Sequence, residues 1–332
     1  MIAVVGATTW GTTLALLWSR LGRPVRLLVR TEEEAETLRR DGCNRRRVPD
    51  YRFPPSLRVT ADPIEAFHRA EAIVLAVPSQ TMRENVRRIA DAVPADAIIV
   101  SAAKGIEIAT RARMSEVIGS ELPHHAGRVV ALSGPNLSKE IAAGLPAATV
   151  VAAEDAAVAT RAQDLLMTPM FRVYTNRDII GVELGGALKN VYALVAGISD
   201  GLGMGDNAKA GVITRGLAEM SRLGEAAGAQ RQTFAGLSGL GDLVATCVSP
   251  TSRNHQVGFR LAQGKPLEAV LRDLGQVAEG VPTTRAATRL GAELGVELPI
   301  AEAIHRVLFE GVPARAAAMA LLERERKAEF PD

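Results

Sequence analysis

Cysteine is nearly missing from this chain. Cys43 and Cys247 are the only two in 332 residues, too few for a disulfide framework and without metal-ligand spacing, which suits a reducing compartment. The five histidines, His68, His124, His125, His255 and His305, show none of the common zinc spacings. No G-x-S-x-G elbow occurs, so metal-site and serine-hydrolase readings fail at the outset. An excess of either charge is also lacking: 39 Lys and Arg face 37 acids, which gives no global drive toward nucleic acid or an acidic membrane surface. Any anion site must be local. Wholly apolar runs stay short of the roughly 18 residues that suggest a membrane helix. The first residues, MIAVVG, read as a strand, so no targeting segment is expected in front of them and a cytoplasmic protein is the default.

What is present is apolar surface, 47% of residues, enough for two cored domains. It is densest from Asp178 to Asp200, DIIGVELGGALKNVYALVAGISD, where only Glu183 and Lys189 are charged between the terminal aspartates. The stretch is too apolar for a solvated helix and, with a lysine near its centre, a poor membrane span, so it reads as a helix buried on most sides. On a 3.6-residue period Lys189 shares a face with Gly185, Gly186, Tyr192 and Ala193, small residues in the main that leave room for another body. A buried lysine is costly unless paired or used; the alternatives are a lysine that snorkels to the surface or pairs with a core carboxylate.

Ile2 to Val5 is a short apolar run, followed by GATTWG and an alanine- and leucine-rich helix to about Leu21: strand, glycine turn, helix. Gly6 and Gly11 stand where the first and third glycines of a dinucleotide fingerprint belong, while Thr8 holds the second place and puts close approach of a pyrophosphate in doubt. A second strand, Val25 to Val29, ends at Arg30, with a capping box from Thr31 to Glu34. A carboxylate there would grip a ribose 2′-hydroxyl; Arg30 instead suits a 2′-phosphate and tilts the cofactor toward NADPH, unless it is only a surface charge.

Strand-like runs follow at 57–60, 72–77, 97–101, 129–132 and 148–151 with helical patterns between most of them, which implies a largely parallel, doubly wound sheet with ligands at its carboxyl ends. Lys104-Gly105 and Ser133-Gly134-Pro135-Asn136 sit at such ends; Lys104 is otherwise a solvated loop lysine. We therefore expect an α/β Rossmann-like domain over 1–177, an all-helical domain over 178–322 and a frayed charged tail over 323–332. In the helical domain three loop-like clusters stand out, at 201–207, 236–243 and 249–254, because glycine-dense loops usually bring backbone close to something. Asp242 in the second is a candidate site residue or a helix cap. Arg253-Asn254 in the third is a candidate phosphate fork or a capped helix start.

Together these segments resemble the bacterial NAD(P)-dependent glycerol-3-phosphate dehydrogenases. The carrying blocks are KG at Lys104, SGPNLSKEIAAGLP from Ser133, FRVYTN from Phe171, GVELGGALKNVYA from Gly181, SDGLGMGDNAKAGVITRGLAEMSRLG from Ser199, GLGDLVATC from Gly239, SRN from Ser252 and GQVAEG from Gly275. The resemblance implies Lys189 as proton donor to a substrate carbonyl, and Lys104, Gly134, Asn136, Lys189, Asp242, Ser252, Arg253 and Asn254 as the substrate set. It implies Thr9, Trp10, Arg30, Lys104, Ser138, Arg253, Val277 and Glu279, beside Gly6 and Gly11 of the fingerprint, as the cofactor set. It further implies a homodimer that reduces dihydroxyacetone phosphate to sn-glycerol 3-phosphate for phospholipid synthesis. Two rivals remain: a dehydrogenase of the β-hydroxyacid type, with the same domain plan, and a dinucleotide-binding sensor without chemistry, which Thr8 would motivate and the four residues Lys104, Lys189, Asp242 and Arg253 oppose.

Overall fold

A computed structural model describes residues 1–326, 328 and 329. Among these, ten strands form: β1 (Ile2–Val5), β2 (Val25–Leu28), β3 (Cys43–Asn44), β4 (Val48–Arg52), β5 (Leu57–Thr60), β6 (Ala72–Leu75), β7 (Ile98–Ser101), β8 (Val129–Ser133), β9 (Ala147–Ala152) and β10 (Phe171–Asn176). Eight of them make one sheet in the order β10-β9-β8-β7-β6-β1-β2-β5, parallel throughout except where β9 meets β8. Alternate residues serve opposite cores: Ile2, Val4, Val74 and Val100 pack on one face, Ala3, Val5, Leu75 and Ile99 on the other. Both faces are covered, which is why these strands read as unbroken apolar runs. The chain winds from β1 out to β2 and β5, then crosses back to β6. The crevice for a ligand therefore opens between the carboxyl ends of β1 and β6.

Sequence reasoning missed two pieces of this domain. The β3–β4 hairpin, antiparallel and separate from the main sheet, spans CNRRRVPDYR, whose polar run carries no strand period. Strand β10 does have one: Phe171 and Val173 are buried and Arg172 and Tyr174 exposed, the alternation of an edge strand. The expected capping box is also altered, since Thr31 caps Glu34 but the Glu34 carboxylate turns back to the Arg30 amide at 3.1 Å.

Beyond Asn176 the described residues hold no further strand. The Ile179–Gly201 helix, capped by Asp178, is long and apolar enough to cross a membrane by composition alone, yet 83% of its most apolar window is buried inside the protein. Helices Gly205–Ala226, Asp242–Val248, Arg253–Ala262 and Gly280–Leu294 pack around it. The Arg253–Ala262 helix comes closest. A Cβ on Gly258 would lie 1.9 Å from the Leu194 carbonyl oxygen and one on Gly197 2.0 Å from that of His255, so the two backbones touch.

The three loop-like clusters are less loop-like than expected. Leu237–Gly241 forms a π-helical turn that runs into the Asp242–Val248 helix, Gly205 already opens a helix, and Arg253 opens another after its cap Ser252. Close packing accounts for Gly201 and Gly239, whereas Gly203 and Gly205 adopt the positive φ of a turn, +68 and +83, in open space. Of the tail expected to fray, Lys327 and Phe330–Asp332 lie outside the described residues. In the described part Arg324 approaches Glu297 at 3.8 Å and Arg215 donates to the Glu329 carbonyl at 3.3 Å.

Candidate active site

Four side chains from three elements meet where the sheet and the helical domain join. Lys189, on the central helix, is 7% exposed. Its ammonium donates to Thr246 Oγ1 at 2.7 Å and lies 3.0 Å from Asp242 Oδ1. The other oxygen of Asp242 takes Lys104 Nζ at 2.5 Å, and Lys104 also donates to the Gly134 carbonyl at 2.8 Å. Lys104 follows β7 and Gly134 follows β8, so the carboxyl ends of two strands face the Asp242–Val248 helix across a single carboxylate. Strand β8 approaches the central helix closely because the helix has no side chain at Gly186, where a Cβ would lie 2.3 Å from Ser133 Oγ. Gly134 itself adopts φ +145, a conformation open to glycine.

Two ammonium groups and one carboxylate leave a net positive charge in a buried place. Burial pushes the Lys189 pKa down to about 8; Asp242 opposes the shift and Lys104 reinforces it. The sequence could not settle that direction, and here desolvation outweighs the carboxylate. A lysine poised near neutrality can both give and take a proton.

The dinucleotide crevice lies one strand further along. Gly6 has φ +102, and a Cβ there would meet Val77 Cγ1 at 2.9 Å; a Cβ on Gly11 would lie 2.0 Å from the Gly6 carbonyl oxygen. Both fingerprint glycines are therefore required by the turn. Thr8 is not a defect in it: with ordinary φ −67 it caps the Thr9–Ser19 helix, its hydroxyl accepting the Gly11 amide at 3.0 Å and donating to the Ala76 carbonyl at 2.8 Å. The Thr9 and Trp10 amides lie at that same helix end, suited to a pyrophosphate, and Trp10 Nε1 is buried with no acceptor among the described residues. These features fit a dinucleotide. Arg30 is exposed at the end of β2, its carbonyl accepting from Arg88 at 3.1 Å.

A segment of the helical domain crosses to this crevice. Thr9 Oγ1 donates to Gln276 Oε1 at 3.3 Å, and the Glu279 carboxylate takes the Ser79 amide at 2.9 Å and its hydroxyl at 2.6 Å. Arg253, exposed, donates to the Val277 carbonyl at 2.8 Å. Ser252 caps the helix that Arg253 starts. Asn254 is engaged inside the protein, donating to Asn190 Oδ1 at 2.7 Å and accepting the Gly280 amide at 2.9 Å. Asn136 accepts from Thr149 Oγ1 at 3.0 Å, and the Ser138 carbonyl accepts from Thr13 at 3.5 Å. Lys104, Gly134, Asp242 and Lys189 are thus joined by direct bonds, while Asn136, Ser138, Ser252 and Asn254 are held in neighbouring elements.

Sequence reasoning passed over Thr246, Asn190 and Ser79. Thr246 had a signal, four residues after Asp242 on one helix face. Tyr192 differs from the expected Lys189 face: it packs over Gly216 and donates to Glu219 at 3.2 Å, because the central helix has neighbours on every side.

Family models for the N- and C-terminal parts of NAD-dependent glycerol-3-phosphate dehydrogenase match residues 1–159 and 178–319. The chain belongs to the NAD-dependent glycerol-3-phosphate dehydrogenase family. It is 46% identical, over 100% of its length and 93% of the relative's, to glycerol-3-phosphate dehydrogenase [NAD(P)+] of Desulfitobacterium hafniense. Against the same enzyme of Corynebacterium glutamicum it is 48% identical, with 99% of both chains covered. The crystal structure of glycerol-3-phosphate dehydrogenase from Coxiella burnetii superposes with a TM-score of 0.92 at 38% identity, over 97% of this chain and 98% of that one. Ketopantoate reductase from Ralstonia eutropha, at 15% identity and a TM-score of 0.61, shares the fold alone. Membership in this dehydrogenase family removes both rivals, the β-hydroxyacid type and the sensor without chemistry.

Proposed function

We propose that this glycerol-3-phosphate dehydrogenase uses Lys189 as general acid and base in the interconversion of dihydroxyacetone phosphate and sn-glycerol 3-phosphate. The observation that carries the assignment is the buried Lys189 ammonium, tied to Asp242 and Thr246 at the mouth of the dinucleotide crevice. Bound NAD(P)H supplies the hydride. As negative charge builds on the carbonyl oxygen, Lys189 stabilises it and then protonates it; in oxidation the neutral amine accepts the proton. Asp242 holds both lysines in place, and Lys104 adds a second positive charge beside the reacting oxygen. Arg253, with the Ser252-capped helix start, is the proposed anchor of the substrate phosphate.

We infer a preference for NADPH, supported by Arg30 at the end of β2, where no carboxylate waits for a 2′-hydroxyl. A cytoplasmic homodimer that supplies the glycerol phosphate of phospholipids completes the reading, in keeping with two buried free cysteines. The test is Lys189→Ala: turnover is lost while NADPH still binds by fluorescence titration, and turnover at the wild-type rate ends the assignment. Comparing kcat/KM for NADPH and NADH in the parent and in Arg30→Ala tests the cofactor preference; equal ratios in both proteins contradict it.

A further inference from the structure

The central helix leaves the sheet domain at Asp178 and presents Lys189 eleven residues later. Between them stands Glu183, whose buried carboxylate reaches across the domain junction. Its partners are all at the start of the Met114–Glu121 helix, which belongs to the sheet domain. One oxygen accepts the Ser115 amide at 2.7 Å. The other accepts the Ser115 hydroxyl at 2.6 Å and Arg113 Nη1 at 2.7 Å. The opposite arm of Arg113 is fixed on Glu116 at 2.8 Å. Glu183 thus caps a helix of one domain while being part of a helix of the other.

Stability alone is a poor reason for this arrangement. Burial pushes the Glu183 carboxyl above its usual range, against the pull of Arg113 and Ser115. An apolar contact of similar volume would hold the two helices together at least as well, because a buried ion pair must first repay its desolvation. What a cap with three directed bonds adds is direction. Glu183 and Lys189 are six residues apart, about 9 Å along the axis at ~1.5 Å per residue. A swing of ~10° about the Glu183 contact moves the Lys189 backbone by ~1.5 Å, and misplacement of ~1 Å can cost about a hundredfold in rate.

We propose that Glu183 is a positioning residue for the dehydrogenase reaction. It sets the angle at which the central helix leaves the sheet domain, and so the place of the Lys189 ammonium relative to a carbonyl held over the cofactor. The inference rests on the reading of Lys189 as general acid. Glu183 touches neither substrate nor cofactor crevice.

The test uses the full-length enzyme with Glu183→Gln, Ser115→Ala and Ser115→Thr, read by steady-state kinetics and by the isotope effect with NADPH deuterated at the transferred position. Glu183→Gln is expected to lower kcat about 10- to 100-fold, with both KM values within about threefold and a larger isotope effect. Ser115→Ala moves kcat the same way by less, and Ser115→Thr, which restores the hydroxyl, returns it toward the parent value. A wild-type kcat in Glu183→Gln alongside a lowered melting temperature overturns the proposal, because the contact is then only a brace. If Glu183→Gln does not fold, the Ser115 pair decides: equal kcat in the Ala and Thr variants overturns it. Added to Lys189→Ala, Glu183→Gln is expected to leave the residual rate unchanged; a further loss shows that Glu183 acts on some other group. Turnover at the wild-type rate in Lys189→Ala by itself would remove the reading of Lys189, an outcome distinct from failure of the Glu183 proposal.

Discussion

Asp242→Asn offers the sharpest check on the chemistry, because one atom replacement removes the charge that two lysines share. In the parent, Asp242 Oδ1 is 3.0 Å from Lys189 Nζ and Oδ2 is 2.5 Å from Lys104 Nζ. At an effective dielectric constant near 20, a unit pair about 3 Å apart interacts by roughly 5 kcal/mol, an upper bound equal to about four pKa units. Relaxation and water entry reduce this, so we expect a fall of about two units. Lys189 would then move from about 8 to about 6 or below.

The sign follows from the proton's direction. On the proposed role of Lys189, reduction needs the ammonium, so its kcat is flat at low pH and falls as pH rises through the Lys189 pKa, near 8 in the parent. Oxidation needs the free amine, so its kcat rises through the same value. At pH 7 roughly nine-tenths of the parent lysines are protonated, against about one-tenth in the variant. Reduction at pH 7 should therefore drop about tenfold in Asp242→Asn from protonation alone, while oxidation suffers less. Profiles of kcat in both directions, followed by NADPH absorbance from about pH 5 to 10, read the shift directly. A reduction limb that stays near 8, or moves to higher pH, refutes the claim that Asp242 sustains the charge on Lys189.

Thr8→Gly should destabilise the protein by roughly a few tenths of a kcal/mol, the usual cost of replacing a threonine cap by glycine, because Thr8 caps Gly11 and bonds Ala76. A rise in melting temperature would show that a glycine fits this turn better. Gly258→Ala places a Cβ 1.9 Å from the Leu194 carbonyl oxygen and should cost ~1–3 kcal/mol by overpacking. It should also raise KM for the phosphorylated ketone through displaced Arg253; unchanged stability and KM would mean that the helices part without consequence. Glu219, which burial raises to about 7, favours its neutral form in the folded state, so its contribution is best below pH 4.5 and erodes as pH climbs to 7. Glu219→Gln should gain on the parent by about 3 kcal/mol across that window in urea titrations, and a pH-independent difference would contradict the shift.

Much of the fold was legible because its strands are buried on both faces and its turns are chemically marked. IAVVG followed by an alanine-rich helix can hardly be anything but strand, turn and helix, and the structure places them so. What escaped was set by tertiary contact. The β3–β4 hairpin has no hydrophobic period, and β10 is an edge strand whose alternation was short. Thr8 misled for a similar reason: a pattern written for glycine cannot show that a hydroxyl will cap the helix and bond Ala76. Lys104, Asp242 and Lys189 were recognisable as residues, but their convergence on one carboxylate spans 138 positions of sequence and is a property of the packed domains.

The same convergence explains why Thr246 belongs with them. An ammonium has three N–H donors. Lys189 directs one to Asp242 Oδ1 and one to Thr246 Oγ1, which leaves the third for a ligand oxygen. The Thr246 hydroxyl has a single proton and gives it to the Asp242 carbonyl at 2.6 Å, so toward Lys189 it can only accept. This fixes the lysine as donor at both protein contacts whatever its charge. On the proposed role of Lys189, the third proton passes to the substrate, and the amine keeps its two N–H bonds and is left with a lone pair aimed where the proton went. The ammonium and the amine then occupy the same position with the same two partners, as the proposed use of one side chain in both directions of the reaction requires.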